Sequence, residues 1–311
     1  MSPLRVIIIG GGRISLSHIP QIIADSGLEI MTIVEPSLAQ RFILSKLTRC
    51  PIKSRLSSED LVNADMAFIF TPPHTHFEIA KQCLESNVHV FIEKPLSILP
   101  DHSRQLVAQA SAQGLVMQVG YVYRFHPAFI AFKAKLESFK RSNKVNSASV
   151  TMKGNVKKSN GSWRSAGPAS GCVLDYGSHI LDLTSFFFEP CELVSANVTK
   201  RSNCIDAFTA QLQAPVGFEV SVNCDWQDEA CRKAEVSVQV DFTNGDTLGA
   251  TSANQVWLND DSLNLTHYNV DFYLRGEDFA NQLRSFTECV RESQVISKRA
   301  FVDIHAAHCD V

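Results

Sequence analysis

Short, mostly apolar runs alternate with helical patterns through the first third of the chain. The segments Leu16–Ala24, Phe77–Ser86 and Ser103–Gln113 space their apolar residues three or four positions apart, as amphipathic helices do. Strands without polar alternation are covered on both faces, which is typical of a parallel sheet between two layers of helices. This part of the chain therefore predicts a doubly wound α/β domain. The apolar runs are Val6–Ile9, Ile30–Val34, Met66–Phe70, Val88–Ile92 and Leu115–Val119.

The hydrophobic period changes to two after about residue 145. Apolar side chains alternate with polar ones along Phe218–Trp226 and Val236–Phe242, and Asn244-Gly245 is a strong hairpin signal. This pattern predicts a largely antiparallel sheet with one covered face and one polar face, which is either solvated or an oligomer interface. Shorter alternating segments are Ala148–Met152 and Val194–Val198, and helical patterns occupy Ser178–Phe188, Glu277–Glu292 and Phe301–Val311.

The size and composition narrow the class of protein. A chain of 311 residues suits two domains, which we place at residues 1–121 and 122–311. A net charge of −3 argues against nucleic-acid binding, because neutralising phosphates needs a basic surface. The nine cysteines are scattered without a C-x-x-C pair, which favours free thiols in a reducing compartment. We find neither a signal peptide nor an apolar stretch long enough to span a membrane, and we expect a cytoplasmic enzyme.

A glycine turn follows the first predicted strand directly. Gly10 allows the tight turn, and Gly12 lets the backbone approach a pyrophosphate at the positive end of the next helix. The third small position is Ser15, where glycine or alanine is usual. A plain tight turn between a strand and a helix is the alternative interpretation.

Glu35 ends the second predicted strand, where a carboxylate can accept hydrogen bonds from the ribose hydroxyls of a dinucleotide. The same carboxylate would repel a 2′-phosphate, so we expect NAD rather than NADP. Ser37 and Arg41 lie close enough in the sequence to serve a phosphate, so NADP stays open, as does a surface role for Glu35.

Two further segments follow the fourth and fifth predicted strands. Thr71-Pro72-Pro73 leads to His76, and Glu93-Lys94-Pro95 follows Ile92. Ligands of open α/β sheets bind beyond the carboxyl ends of the strands, so both segments should face the cofactor cleft. A lysine before a rigid proline is well placed to donate to a substrate hydroxyl, although a surface ion pair with Glu93 is also possible. His76 by itself indicates only the start of a helix.

A cluster of polar residues lies at the start of the predicted helix Ser178–Phe188. Asp175, His179 and Asp182 have the spacing i, i+4, i+7, which places them on one helical face. A histidine beside a carboxylate can act as a general base near neutral pH. A structural histidine with a helix-stabilising aspartate is the alternative, and the segment lacks the further ligand that a metal site would need.

Taken in order, these motifs resemble the glucose–fructose oxidoreductase/inositol dehydrogenase (Gfo/Idh/MocA) family. Glu93-Lys94-Pro95 followed by Asp175-x-x-x-His179-x-x-Asp182 is far more specific than the glycine turn alone. The sequence departs from the family at Ala169-Ser170-Gly171-Cys172, where a glycine-rich run is usual. It also ends early relative to many members, so we expect a short or truncated last helix. The other matching segments are Gly10–Ser15, Thr71-Pro72-Pro73 with His76, and Gly120 through Arg124 to Pro127.

The resemblance implies an α/β fold: an N-terminal Rossmann domain with a doubly wound parallel sheet, and a C-terminal α+β domain with an open, mostly antiparallel sheet. In the family that sheet commonly forms the subunit interface, so a homodimer or homotetramer is expected. Lys94, Asp175 and His179 would be the catalytic residues: Lys94 would hydrogen-bond the reacting hydroxyl, His179 would take its proton, and Asp175 would position the pair. The residues expected to bind the cofactor are Gly10, Gly12, Arg13, Ile14, Glu35, Thr71, Pro72, His76, Glu93 and Lys94.

The substrate would meet the catalytic residues and three others. Trp163 offers a stacking surface for a sugar ring, and Arg164 offers a partner for a carboxylate or phosphate. A buried tryptophan beside a surface arginine is an equal alternative, and Arg124 has the same two interpretations.

The expected reaction is the NAD(P)-dependent oxidation of a secondary alcohol on a sugar, cyclitol or nucleotide-linked sugar. One alternative is a net non-redox reaction, such as glycoside cleavage, that proceeds through transient oxidation. Another is a non-catalytic sensor or subunit that only binds the dinucleotide. The presence of Lys94, Asp175 and His179 together argues against the sensor.

Overall fold

The computed structural model describes residues 2–156, 164, 170–201, 203–263 and 276–295. The chain divides into two compact units. The first unit takes the chain as far as Gly120 together with the helix Glu277–Val295, and the second begins at Tyr121 and runs to Leu263. None of the described helices has both the length and the apolar character needed to cross a membrane.

A six-stranded parallel sheet forms the centre of the first unit, in the order β3-β2-β1-β4-β5-β6. Its central strands are covered on both faces, since Val6, Ile7 and Ile8 are all fully buried. This confirms the predicted doubly wound parallel sheet. The strand bounds are β1 Leu4–Ile9, β2 Leu28–Val34, β3 Ile52–Lys53, β4 Met66–Ile69, β5 His89–Ile92 and β6 Met117–Val119.

The helices of this unit follow the strands in sequence. The three predicted helical segments are confirmed, whereas β3 and the second and third helices were not predicted. The two-residue β3 and the five-residue third helix are too short to give a clear hydrophobic period, and the ten-residue second helix buries only Leu44. The helix bounds are α1 Ser15–Ala24, α2 Leu38–Leu47, α3 Ser58–Val62, α4 His76–Glu85 and α5 Pro100–Gln113.

An eight-stranded sheet forms the second unit, in the order β14-β13-β12-β11-β7-β10-β9-β8. Its neighbouring strands pair antiparallel except β7 with β10, which confirms the mostly antiparallel sheet. Asn244-Gly245 forms the predicted hairpin turn between β11 and β12. The bounds are β7 Val145–Lys153, β8 Glu192–Thr199, β9 Ala207–Gln213, β10 Glu219–Asp225, β11 Glu235–Phe242, β12 Thr247–Thr251, β13 Gln255–Leu258 and β14 Asp261–Ser262.

Two helices, α6 Pro127–Phe139 and α7 Ser178–Phe188, contribute to the core of this unit. Phe132 of α6 and Leu183 of α7 join the same cluster of buried side chains as Val150, Val222 and Val238 of the sheet. In β10 and β11 every second residue is buried and the residues between them are half-buried or exposed, as their period predicts. The edge strand β8 differs from the prediction of one covered face, since all eight of its residues are exposed.

The last described helix, α8 Glu277–Val295, belongs to the first unit. Leu283, Phe286 and Val290 are buried in the same cluster as the side chains of β1 and β4. The structure here differs from the prediction that residues 122–311 form one domain, because the apolar face of α8 is buried beside α1. The predicted helix Phe301–Val311 lies outside the described residues.

Candidate functional site

The glycine turn joins β1 to α1 beside β4. Gly10 has φ +101°, and a Cβ there would lie 2.7 Å from the carbonyl carbon and oxygen of Phe70, so only glycine fits. At Gly12, apart from the glycine itself and its two chain neighbours, no atom of the described residues lies within 4 Å of the place a Cβ would take. Helix α1 begins at Ser15 with no side-chain cap and no acidic residue in its first turn. The open space and the uncapped helix N-terminus fit the pyrophosphate of a dinucleotide.

Glu35 stands at the end of β2 and holds the glycine turn. Its Oε2 accepts a hydrogen bond from the Gly11 N–H at 2.6 Å, and its Oε1 accepts one from the Ser37 N–H at 2.7 Å. Arg41, which the sequence leaves open as a partner for a 2′-phosphate, donates from Nη1 to the carbonyl oxygens of Glu35 and Pro36. In the turn itself Arg13 is exposed and Ile14 is half-buried.

Thr71 and Pro72 follow β4, and His76 begins α4 behind them. The His76 side chain is fully buried, with Nδ1 2.7 Å from the Pro95 carbonyl oxygen and Nε2 2.9 Å from the Thr71 carbonyl oxygen. Burial lowers the pKa of His76, because a charged ring would lose its hydration there, while the two carbonyl oxygens act in the opposite direction. The sequence predicts only that His76 starts a helix. The structure also places its ring between the loop after β4 and the loop after β5.

Glu93-Lys94-Pro95 follows β5 at the same edge of the sheet. Lys94 is half-buried, and its backbone N–H donates to Glu93 Oε2 at 3.2 Å. The other oxygen of Glu93 lies 3.2 Å from Nε2 of His18, a buried residue of α1. The structure therefore assigns Glu93 two contacts within the protein, in addition to the cofactor role predicted for it.

Asp175 and His179 lie on one continuous helical stretch of the second unit, in which a π-helical turn, Val173–Gly177, leads into α7. Such turns are frequent at functional sites. Asp175 is buried and accepts a hydrogen bond from Nε of the more exposed Arg164 at 2.8 Å. The His179 ring lies edge-on to the ring of Tyr123, with 4.9 Å between the centroids, and Tyr121 is the next ring at 6.3 Å.

Asp182, the third member of the motif, pairs with Arg124. Arg124 Nε donates to both carboxylate oxygens at 3.0 and 2.8 Å, and its Nη2 donates to Oδ1 at 2.7 Å. Burial raises the pKa of Asp182 to about 6, against the opposing effect of Arg124. The pair ties the turn Val122–Phe125 to α7, so Arg124 has a structural partner whatever its role toward substrate.

The other predicted substrate residues divide between the described and undescribed parts. Arg164 is bonded to Asp175, which supports a part in positioning that carboxylate. Trp163 lies outside the described residues. Among the described residues no group of three or more histidine, cysteine, aspartate or glutamate side chains could hold a metal ion.

Sequence reasoning missed the role of His18. Its ring stacks on Phe70 with 4.5 Å between the centroids and reaches Glu93, a residue 75 positions away. The only local signal is a polar residue on the buried face of α1, one turn after Ser15. Such a residue reveals no partner until the two strands and α1 are assembled.

Comparison with known families bears on both units. The N-terminal model of an oxidoreductase family with an NAD-binding Rossmann fold matches residues 4–121, and the C-terminal domain model of the same family matches residues 143–247. The chain belongs to the GFO/IDH/MocA oxidoreductase family. Family membership confirms the resemblance drawn from the motifs, the NAD-binding fold of the first unit and the dinucleotide cofactor.

Curated relatives of this GFO/IDH/MocA protein match over part of the chain. A scyllo-inositol 2-dehydrogenase (NADP(+)) from Bacillus subtilis is 29% identical over 135 residues, which are 43% of this chain and 37% of the relative. A UDP-N-acetylglucosamine 3-dehydrogenase from Acidithiobacillus ferrooxidans is 27% identical over 128 residues, which are 41% of this chain and 40% of the relative. The chain thus spans less than half the length of these two relatives.

Solved structures resemble the fold over nearly the whole chain. GenD2 from gentamicin A biosynthesis, in complex with NAD, has a TM-score of 0.79 at 19% identity, covering 94% of this chain and 88% of that protein. The WlbA dehydrogenase from Bordetella pertussis, in complex with NADH and UDP-GlcNAcA, has a TM-score of 0.75 at 20% identity, covering 98% and 85%. At these identities the likeness shows the fold.

Proposed function

We propose that this protein is an NAD(P)-dependent dehydrogenase that oxidises a secondary alcohol of a sugar, cyclitol or nucleotide-linked sugar. The observation that carries the proposal is that a member of this family has Lys94 just after β5 and has Asp175 and His179 on the helical stretch that leads into α7. A chain that only bound dinucleotide would need none of the three.

The roles of the three residues follow from their chemistry. Lys94 donates a hydrogen bond to the reacting hydroxyl, which stabilises the negative charge that develops on its oxygen. His179 accepts the hydroxyl proton as the general base. Asp175, held by Arg164, places a negative charge near the base and balances the positive charge that the imidazole gains. A bound NAD⁺ or NADP⁺ would supply the hydride acceptor for the carbinol hydrogen of the substrate.

The substrate class draws support from the relatives. The names of two curated relatives specify an inositol and a nucleotide-linked sugar. Both compounds carry secondary alcohols on a six-membered ring, which is the chemistry that Lys94 and His179 would serve. We propose the same class for this protein. The homodimer or homotetramer implied by the family resemblance stays a prediction, with the exposed edge strand β8 as one candidate surface.

The test is a substrate screen at fixed NAD⁺ or NADP⁺, with myo-inositol, scyllo-inositol, glucose and UDP-N-acetylglucosamine as probes. We expect one of them to give reduced nicotinamide, and Lys94→Ala and His179→Ala each to lower kcat/KM by about a hundredfold or more. Matched controls are Lys81→Ala on the outer surface of α4 and His102→Ala on α5, which should keep near-normal rates.

Three outcomes would contradict parts of the proposal. Product formed without stoichiometric NADH would indicate a net non-redox reaction. Tight dinucleotide binding without turnover of any probe would contradict the proposed substrate class. Turnover that is insensitive to Lys94→Ala and His179→Ala would remove these residues from the mechanism.

A further inference from the structure

Glu93 and Pro95, the two neighbours of Lys94 in sequence, are each held by a buried histidine. His18 of α1 contacts Glu93 Oε1 at 3.2 Å, and His76 of α4 contacts the carbonyl oxygen of Pro95 at 2.7 Å. Both histidines belong to the first unit, and neither is part of the catalytic set proposed above. The sequence from Glu93 to Pro95 is therefore fixed from two different helices.

The His18 ring is fixed by aromatic side chains. It stacks on Phe70 at 4.5 Å between centroids and meets Phe91 and Phe279 edge-on at 5.2 and 4.8 Å. Since a carboxylate only accepts hydrogen bonds, His18 Nε2–H is the donor to Glu93. The aromatic packing leaves the ring little freedom, so this N–H points in one direction.

Glu93 transmits the position of His18 to the lysine backbone. One carboxylate oxygen accepts from His18, and the other accepts from the Lys94 N–H. Gly120 at the end of β6 makes room for this arrangement, since a Cβ on Gly120 would lie 2.9 Å from Glu93 Oε1. The Glu93 carboxylate thus packs between the end of β6 and α1. It is also hydrogen-bonded to the backbone N–H of Lys94, the residue proposed to contact the substrate hydroxyl.

His76 acts on the other side of Lys94. Its two ring nitrogens lie against the carbonyl oxygens of Pro95 and Thr71, at 2.7 and 2.9 Å. The ring therefore lies between the loop after β4 and the loop after β5, both at the carboxyl edge of the sheet. A neutral imidazole has one N–H and donates to one of the two carbonyl oxygens, and we take Nδ1–H as the donor to Pro95. Burying a polar ring costs free energy unless it is hydrogen-bonded. If this site served stability alone, an apolar side chain of similar size would fill it equally well.

We propose that His18 and His76 are positioning residues that fix the backbone around Lys94 and so set the direction in which its ammonium group points. The inference rests on the proposed catalytic role of Lys94. His18 acts through the carboxylate of Glu93, and His76 acts through the carbonyl of Pro95.

Paired variants separate the hydrogen bond from the packing. His18→Phe keeps an aromatic ring against Phe70 and removes the N–H, whereas His18→Gln places an amide N–H near the position of Nε2. His76→Leu removes both polar contacts, whereas His76→Asn places an amide N–H near the position of Nδ1. The matched control is His89→Leu, which removes a different histidine contact on β5, the acceptor of the Val116 N–H at 2.9 Å.

The first measurement follows Lys94 itself and needs no substrate. Lysines are labelled as ¹³C-dimethyl-lysine in the full-length protein, and the Lys94 signal is identified by its loss in Lys94→Arg. We expect this signal to shift in His18→Phe and His76→Leu, and to stay near its wild-type position in His18→Gln, His76→Asn and His89→Leu. The second measurement is NADH binding, which should change by less than about threefold in the two His18 variants and in His89→Leu, since neither histidine belongs to the residues expected to bind the cofactor.

The third measurement uses whichever probe is turned over in the substrate screen. We expect kcat to fall by about tenfold to a hundredfold in His18→Phe and His76→Leu, with little change in KM for the dinucleotide, and to recover in the conservative variants. The proposal is overturned if the Lys94 signal is unchanged in both disruptive variants, or if His89→Leu moves it equally. Failure of every probe in the screen would contradict the proposed substrate class, while the Lys94 signal would still decide the positioning role.

Discussion

At the level of single residues, Glu35 holds the glycine turn through its side chain, and we predict that the same side chain affects cofactor choice. Both carboxylate oxygens accept backbone hydrogen bonds, from Gly11 and from Ser37. The negative charge is therefore fixed just after β2, and we predict that it favours ribose hydroxyls and opposes a 2′-phosphate. Arg41 donates to the backbone carbonyl oxygens of Glu35 and Pro36 and to neither carboxylate oxygen of Glu35 among its described hydrogen bonds.

We expect Glu35→Gln to weaken NADH binding by about tenfold and to improve NADPH binding relative to NADH, because the charge that repels a 2′-phosphate is removed. Fluorescence titration with each reduced dinucleotide measures both affinities. Glu29→Gln is the control, since Glu29 is an exposed residue of the same strand and undergoes the same change of charge. Wild-type protein that binds NADPH at least as tightly as NADH would contradict the role assigned to Glu35.

At the level of elements, the Arg124–Asp182 pair holds the start of α7 against the turn that opens the second unit. Asp182 is only 1% exposed and Arg124 15%, so each charge depends on the other. The Arg124 guanidinium also lies over the ring of Phe186, 5.3 Å from its centroid. Nζ of Lys133 in α6 lies 3.6 Å from the centroid of the same ring. His179, one turn before Asp182, takes its position from the same helix.

Removing the arginine should therefore destabilise the second unit. We expect Arg124→Met to lower its free energy of unfolding by about 3–5 kcal/mol, because a buried carboxylate loses its partner. A raised carboxyl pKa means that the folded state binds the proton more tightly, so this loss should be smaller near pH 5 and larger as the pH rises above about 6. Urea unfolding followed by tryptophan fluorescence measures it, since buried Trp226 lies in this unit.

Two further variants test whether the pair is the cause. Lys133→Met removes a cation from the same Phe186 ring and leaves Asp182 paired, so its effect should be much smaller. Arg124→Met combined with Asp182→Leu should recover much of the lost stability, because no charge is left buried alone. Equal losses in the single and the double variant would show that packing, and not charge, connects the two elements.

At the level of the whole molecule, the chain returns to its first unit after completing the second. Phe286 of α8 is fully buried and meets Phe68 and Phe91 of the parallel sheet, at 5.5 and 5.8 Å between ring centroids. The core of the dinucleotide-binding unit is therefore incomplete without residues that follow the second unit in sequence. Phe279 of α8 also packs against His18.

We expect Phe286→Ala to destabilise the first unit by about 3–5 kcal/mol, as other large-to-small changes in a core do. Hydrogen exchange of the amides of β4 and β5 measures this unit by itself. Phe42→Ala is the matched control, since Phe42 is 65% exposed on α2 and its truncation should change stability little. Unchanged exchange in Phe286→Ala would mean that α8 is not needed for the first unit.

Local pattern determined much of this protein. Continuous apolar runs predicted the parallel sheet and the period of two predicted the antiparallel one, because side-chain alternation records whether one or both faces of a strand are covered. The glycine turn, Glu93-Lys94-Pro95 and Asp175-x-x-x-His179 also identified the family, since these motifs depend on residue type and spacing. The length of β3 and the full exposure of β8 could not be predicted in this way.

Only the tertiary structure decided which distant residues meet. Asp175 and Asp182 each pair with an arginine, α8 completes the first core, and His18 reaches Glu93 across 75 positions. A buried polar group must find a partner and an apolar face must be covered, yet both requirements can be met by many segments of the chain. The sequence motif therefore identified Glu93, Lys94 and Pro95. Only the folded structure showed that His18 contacts Glu93 and His76 contacts Pro95.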